Sequence, residues 1–418
     1  MMRYHRKSHA ATHTRDYVFS QLIPYIGNKR RLIDLIAGTL ARTELEPAKA
    51  TVLDAFAGSG VVSRWAKQAG YRVIANDWEP YAGAINTCYV ECSSPPAFAG
   101  GRTYHDVLAE LNSLEPATGW VTRHLCPDDD ERPNVERDRL FYMRKNGQRI
   151  DAIRGRIHEW ETAGHLSREQ KACLLAPLLY QACYTSNTSG VFKGFHKGWG
   201  GRTSTALYRI ASDLTLIPAE LRDNGRVNEV HRLDATALAR ELASSKVPVD
   251  VAYLDPPYNQ HPYGANYHVL NTITLWDRPR LAPKITGRGD KSAIRLDWRT
   301  ERRSAYNRRG GALAEYRRLL GALDARWIAT SYSTDGNMPL LGLLSAVVER
   351  GDTRTFVRSY KRYRVSRQRF SEKPVNVEFV LLTDTSRRPA RSPEALRHEI
   401  DTAEQAAIAA HPETAGSR

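Results

Sequence analysis

An acid, two prolines and a tyrosine stand at Asp255-Pro256-Pro257-Tyr258, directly after Asp250-Val251-Ala252-Tyr253-Leu254. The apolar run reads as a buried β-strand, so the acid lies where the strand ends. Neither proline can extend a ladder, and together they hold the backbone in one extended shape that fixes a carboxylate and a free carbonyl in space. Tyr258 adds a flat face for a planar ring. This combination suits an exocyclic amine on a nucleobase, a poor nucleophile because its lone pair is delocalised into the ring. Two acceptors, the Asp255 carboxylate and the Pro256 carbonyl, can hold both N–H groups and localise the lone pair on nitrogen, facing a methyl donor. The plain alternative is a strand exit followed by proline.

Two upstream stretches bear on the donor. Thr51-Val52-Leu53-Asp54-Ala55-Phe56-Ala57-Gly58-Ser59-Gly60 reads as a buried strand running into a Gly-rich turn, and Val61 to Lys67 continue as a helix. Gly58 and Gly60 let backbone approach a ligand, and the new helix presents unpaired N–H groups there. The spacing is not Gly-x-Gly-x-x-Gly, which weakens a dinucleotide site. Tyr71-Arg72-Val73-Ile74-Ala75-Asn76-Asp77 is a second strand ending in an acid, suited to both hydroxyls of a ribose. A nucleoside-type cofactor without a pyrophosphate is implied. Further upstream, Tyr25-Ile26-Gly27-Asn28-Lys29 precedes a helical pattern through Leu35, Ile36 and Leu40; Lys29 is a candidate partner for a cofactor carboxylate, and Gly27 would allow close approach.

Together these motifs resemble the α-group DNA adenine-N6 methyltransferases, the class of the bacterial GATC-specific adenine methylase. The matching residues are Tyr25-x-Gly27-x-Lys29, Phe56-Ala57-Gly58-Ser59-Gly60, Asp77 and Asp255-Pro256-Pro257-Tyr258, in the order of that group. The similarity extends over most of residues 20–385. It takes in Asn259 to Thr272, with Asn266 and Tyr267, and Ser331 to Gly336. The resemblance implies an α/β fold: a Rossmann-like, S-adenosylmethionine-dependent methyltransferase sheet with an inserted, mainly helical target-recognition domain. It implies S-adenosyl-L-methionine as cofactor, held by Tyr25, Gly27, Lys29, Asp54, Phe56, Gly58, Gly60, Asp77 and Asp255. Asp234 falls where the family carries an acid for the cofactor's adenine; its local alternative is a loop-capping Asp. Catalysis would fall to Asp255, Pro256, Pro257 and Tyr258, on an adenine flipped out of duplex DNA. The chain departs from the family at Ala57, and at Ser304-Ala305-Tyr306-Asn307, which is polar and basic where relatives are more apolar.

Organisation follows from motif order. Residues 1–19 form a basic arm, 20–95 and 228–385 the catalytic domain, 96–227 the target-recognition domain, and 386–418 a linker and partly disordered tail without assigned function. The insertion holds a polar loop at Pro127 to Pro133 and helical patterns near Arg149–Glu161 and Ser167–Tyr184. It ends in a Gly-rich loop from Thr185 to Arg202, where Asn187, Lys193, Lys197 and Arg202 are expected to contact DNA. The alternative is a surface loop whose Phe192 and Trp199 pack on the core.

Composition fits an anionic partner. The formal charge of the 418-residue chain is +15 and its pI near 9.6, which favours nucleic acid or an acidic membrane surface. One basic run, Arg278 to Arg318, includes Arg302 and Arg303; a second holds Arg354, Arg358, Lys361, Arg362, Arg364, Arg367 and Arg369 with Tyr360 and Tyr363 between. Both are expected to face phosphates, the alternative being a solvated basic face. No apolar stretch reaches the length of a membrane span, and the His-rich amino terminus lacks a signal-peptide core, so the cytoplasm is expected. Cys88, Cys92, Cys126, Cys173 and Cys183 lack paired metal-ligand spacing; Cys88 and Cys92 read as two buried thiols, and no metal is expected.

The partners expected are double-stranded DNA and a cognate restriction endonuclease, the role restriction–modification, phage defence or anti-restriction, and the state a monomer or weak dimer. Three alternatives stay open: an exocyclic-amine cytosine methyltransferase, an RNA or protein-glutamine methyltransferase, and a non-catalytic DNA-binding specificity factor on the same fold.

Overall fold

The computed structural model describes residues 17–361 and 375–410. Seven strands form one sheet in the order β3-β2-β1-β4-β5-β7-β6. They are β1 Thr51–Asp54, β2 Arg72–Asn76, β3 Glu229–His231, β4 Val251–Leu254, β5 Trp327–Ser333, β6 Asp352–Lys361 and β7 Val375–Asp384. The first five run parallel, and β7 pairs antiparallel with both β5 and β6. This is the α/β sheet that the resemblance implies.

Strands β1 and β4 are buried along their whole length, which is why both read as unbroken apolar runs: in a parallel sheet helices cover both faces. Side chains still alternate between faces. Val52, Val73, Val251 and Tyr253 join one buried cluster, while Leu53, Ile74, Ala252 and Leu254 join the other.

On the first face lie α1 Ile33–Leu40, α2 Val61–Ala69 and α3 Pro80–Asn86, joined by the inserted helices α4 Tyr104–Ser113, α5 Trp120–Leu125, α6 Arg144–Thr162 and α7 Arg168–Tyr184. Helix α7 opens on a capping box, in which Ser167 and Gln170 each bond the other's backbone N–H. It is buried nearly all round, and its Cys173, Leu174 and Leu178 share one core with Tyr81 and Ile85 of α3. The insertion therefore packs into the first layer and contributes helices but no strand among the described residues.

On the second face lie α8 Ala235–Ser244, α9 His268–Leu275 being left on the first, then α10 Arg309–Ala322, α11 Leu340–Val348 and α12 Pro393–Ala409. The Ala-rich pattern near the carboxyl end folds back as α12, burying Leu396 and Ile400. Most of the first 19 residues, the end of the tail, and Arg362, Tyr363, Arg364, Arg367 and Arg369 of the second basic run lie outside the described residues.

Ligands of open α/β sheets bind outside the carboxyl ends of the strands, where neighbouring strands lead their connections to opposite sides. Here that place is between β1 and β4, whose Asp54 and Tyr253 are register partners. Asn76, at the end of β2, ties the neighbouring strand ends together: its amide donates to the Ala55 and Leu233 carbonyls at 3.2 and 3.1 Å and accepts from the Leu233 N–H at 3.0 Å. Asn76 is buried, so Asn76→Ala leaves unpaired backbone groups and is expected to cost about 2 kcal/mol. Urea unfolding should show a lower midpoint with unchanged slope.

Candidate active site

The Gly-rich turn leaves β1 beside the end of β4. Gly58 adopts φ +52° and Gly27 φ +77°, and a Cβ on either would meet a tyrosine: Cε1 of Tyr25 at 2.7 Å for Gly58, the hydroxyl of Tyr258 at 2.9 Å for Gly27. Both glycines are thus required by backbone conformation and by a ring from another motif. Gly60 opens α2 and faces Asn86, away from the cleft.

The strand ends enclose a cleft with two connected chambers. The larger holds about 860 Å³ of open space and is bounded by Tyr25, Phe56, Asp77, Asp234, Asp255 and Tyr306, among others. The smaller, about 270 Å³, shares Tyr25, Gly27, Phe56 and Asp255 with it and adds Lys29, Asp54 and Gly58.

Acids are placed at each end. Asp77 accepts the Gly58 N–H through Oδ2 and the Glu79 N–H through Oδ1, both at 2.9 Å; burial pushes its carboxyl up to about 6 against those two bonds. Asp234 accepts the Thr236 and Ala237 N–H groups through Oδ1, capping α8, and also lines the larger chamber. The loop-capping reading of Asp234 is thus seen directly, and the same residue forms part of the chamber wall. Asp54 accepts the Ser63 hydroxyl at 2.6 Å through Oδ2, while Oδ1 is buried without a hydrogen-bond partner among the described residues. Burial raises its carboxyl to about 7, Ser63 working against the rise. A chamber with a ribose-suited acid and aromatic walls, opening into a small one with an orphaned carboxylate oxygen, fits a nucleoside carrying a cationic tail.

Asp255 lies between the chambers. Its Oδ1 is 3.0 Å from the Lys29 ammonium, which also lies 3.6 Å from Glu378 and 3.4 Å from the Tyr258 hydroxyl. Lys29 is 3% exposed, so the pair is held in low dielectric. Burial pushes the Asp255 carboxyl up to about 6 against the pull of Lys29. Burial equally opposes the Lys29 charge, but Asp255, Tyr258 and Glu378 hold that ammonium well above the ordinary lysine range. Lys29 is thus paired with the strand-end acid while it lines the smaller chamber. Tyr258 lies outside both chambers: the ammonium sits 4.9 Å from its ring centre and Tyr332 meets it edge-on. Pro257 lines the larger chamber, and Pro256 is buried.

The motif containing Lys29 is gripped from α9's approach. Tyr263 donates its hydroxyl to the Ile26 carbonyl at 3.0 Å, and the Tyr267 hydroxyl accepts the Ile26 N–H at 2.8 Å. Tyr25 stacks on both rings, at 5.1 and 5.0 Å between centres.

The residues expected to touch DNA divide sharply. Asn187 is fully buried; its amide donates to the Leu140, His196 and Gly198 carbonyls and accepts the Gly200 N–H, so it folds the Gly-rich loop. Asn266 and Tyr267 are buried, the former's carbonyl accepting the Phe192 N–H. Arg302 is enclosed by Asp297, Glu301 and Glu79 at 2.8, 3.0 and 3.5 Å. All four are buried or enclosed, and Asn187, Tyr267 and Arg302 have side-chain partners within the protein. Lys197, Arg202 and Arg303 are exposed, and Lys193 is half-buried, 3.1 Å from His261. Phe192 and Trp199 do pack inward, Trp199 donating to the Asp130 carbonyl at 2.8 Å.

Sequence reasoning missed Tyr306, Glu315 and Asn76. Tyr306 meets Phe56 edge-on at 5.4 Å, and its buried hydroxyl has no partner among the described residues. The only sequence signal was the departure from the family at residues 304–307. Cys88 and Cys92 are buried free thiols, Cys92 lying 3.8 Å from the Cys173 sulfur. Among the described residues no helix is long and apolar enough to cross a membrane.

A family model described as D12 class N6 adenine-specific DNA methyltransferase matches residues 25–297. The chain is 29% identical over 360 residues to the type II methyltransferase M.NlaIII of Neisseria lactamica, covering 86% of this chain and 97% of that protein. It is 29% identical over 325 residues to the modification methylase LlaI of Lactococcus lactis subsp. lactis, covering 76% and 47%. With the type II methyltransferase M.CviAII of Paramecium bursaria Chlorella virus 1 it shares 28% over 343 residues, 82% and 93%.

Lys29→Met removes the cation beside Asp255 and is expected to raise the carboxyl above about 6. Carbonyl-carbon NMR titration, with Asp255→Asn to assign the signal, measures the midpoint; an unmoved midpoint would mean that the pair does not form in solution.

Proposed function

The chain belongs to the D12 class N6 adenine-specific DNA methyltransferases, and from that premise we propose that it moves the methyl group of S-adenosyl-L-methionine to an adenine turned out of duplex DNA and held at Asp255. The carrying observation is the meeting of Asp255, Asp77 and Asp54 around one two-chambered cleft at the β1–β4 switch point.

In this reading the larger chamber takes the nucleoside of the cofactor, with Asp77 on the ribose hydroxyls and Asp234 near the adenine. The smaller chamber takes the amino-acid tail, with the orphaned Asp54 oxygen on its ammonium. Bound there, the cofactor supplies a methyl group already activated on a sulfonium. The chain's own work is positioning and electrostatics.

The Asp255 carboxylate and the Pro256 carbonyl accept the two N–H groups of the target amine, which turns its lone pair out of the ring. As the nitrogen gains the methyl group it becomes acidic, and Asp255 is placed to take the proton. No strong base is required. Stacking of adenine on Tyr258 requires the Lys29 ammonium to yield that ring, and Glu378, 3.6 Å away, offers it a place. Lys29 meanwhile keeps Asp255 more acidic than burial alone would leave it.

The type II relatives suggest a place in restriction–modification, beside an endonuclease of the same specificity, in the cytoplasm. DNA from a methylation-deficient host expressing the protein should carry N6-methyladenine at one short motif, read by long-read modification mapping. Asp255→Ala should abolish the mark while the purified variant still binds S-adenosylhomocysteine; near-normal methylation by that variant would sink the role given to Asp255. Because the carboxylate form must accept hydrogen bonds, kcat/KM should rise with pH through about 6, the value to which burial brings Asp255. A profile flat down to pH 5 would contradict that assignment.

A further inference from the structure

The arginines after α9 sort into two kinds. Arg295 bonds Asp277 and Asp297 at 2.6 and 2.7 Å, and Arg302 is enclosed by Asp297, Glu301 and Glu79. These two are spent on the fold of the segment. Arg299, Arg303 and Arg308 are exposed, and none has an acid within ion-pairing distance among the described residues. A sequence count of basic residues cannot tell the kinds apart.

The three exposed arginines border one pocket. Gln260 and Pro262 of the loop that follows Tyr258 form one wall, and Trp298, Ser304 and Asn307 complete it, enclosing about 820 Å³ of open space. The indole N–H of Trp298 has no acceptor among the described residues. Arg303 and Ser304 border both this pocket and the larger chamber of the cleft, so the two hollows share a wall. The Asn307 amide donates to the Asn259 carbonyl at 2.8 Å, which ties that wall to the loop carrying the catalytic motif.

A guanidinium fork matches phosphate oxygens, and its fixed charge makes it the usual reader of a phosphodiester. If the cleft takes a base, the strand bearing that base must cross its rim, and the nearest phosphates must lie beside it. Phosphate contacts of this kind set register and orientation without reading sequence. We propose that the pocket bordered by Arg299, Arg303 and Arg308 seats the phosphodiester next to the target adenosine, on the strand that is methylated. The inference rests on the DNA-methylation reading and adds where the flanking backbone is held. The Asn307–Asn259 bond couples the seated phosphate to the loop that follows Tyr258.

The test uses the full chain and a duplex bearing the methylated motif, with single phosphates made neutral as methylphosphonates. Wild-type protein should lose affinity, about tenfold, when a phosphate adjoining the target adenosine is neutralised. The double variant Arg299→Gln/Arg308→Gln, which leaves the cleft's own lining intact, should bind more weakly and be nearly indifferent to that change. Its salt dependence should be shallower by about 2 in the slope of log K against log salt. Calorimetry with S-adenosylhomocysteine should give the wild-type affinity, which shows the variant folded. Equal sensitivity of wild type and variant to the neutral phosphate would overturn the proposal. So would a wild type insensitive beside the target but sensitive at distant phosphates, which would make these arginines a general basic face. Failure of wild-type protein to methylate the unmodified duplex would instead count against the parent reading, and the binding curves would still show whether the pocket takes phosphate.

Discussion

The parallel pairing of β1 with β4 is the constraint on which the cleft depends. It places the Gly-rich turn after Asp54 and the acid at Asp255 side by side, although the whole insertion and two further strands separate them in sequence. A parallel pair needs a long crossover, and here the crossover is large enough to contain the helices that close the first face of the sheet. The site is thus assembled by register. A slip of one residue between β1 and β4 would turn Leu254 and Tyr253 to opposite faces and move Asp255 out of the cleft.

The motifs also lock one another. The ring of Tyr25 lies where a side chain on Gly58 would be, the hydroxyl of Tyr258 lies where one on Gly27 would be, and Lys29 reaches the end of β4 to pair with Asp255. Tyr263 and Tyr267 hold the backbone carbonyl and the N–H of Ile26. A buried carboxylate is costly to keep charged unless a cation faces it, and Lys29 offsets part of that cost here. The amino-terminal motif can then be understood as a support for the strand-end acid as much as a wall of the cleft.

The legible parts of this protein were those whose chemistry is local. Asp255 at a strand end, Gly58 in its turn and Asp77 at the next strand end could be read because position relative to a buried apolar run decides what such residues can do. Asn187, Asn266, Tyr267 and Arg302 could not be sorted this way. Each is a polar or aromatic residue in a stretch rich in basic and Gly residues, and only the tertiary structure shows that it is buried or enclosed within the protein. Tyr306 was hidden for the converse reason: it lines the cleft from a segment whose local sequence looks like a solvent-facing turn.

The same logic bears on the charge of the chain. A net charge of +15 is a statement about long-range attraction, which brings an anionic partner near and does little to align it. Alignment requires cations that are unneutralised and fixed relative to the cleft. In the segment after α9 the acids Asp277, Asp297 and Glu301 serve that end: by engaging Arg295 and Arg302 they brace the chain that carries Arg299, Arg303 and Arg308. Two arginines are thus neutralised while three others on the same segment stay exposed. Removing one of those acids should then disturb DNA register through a residue that never meets DNA.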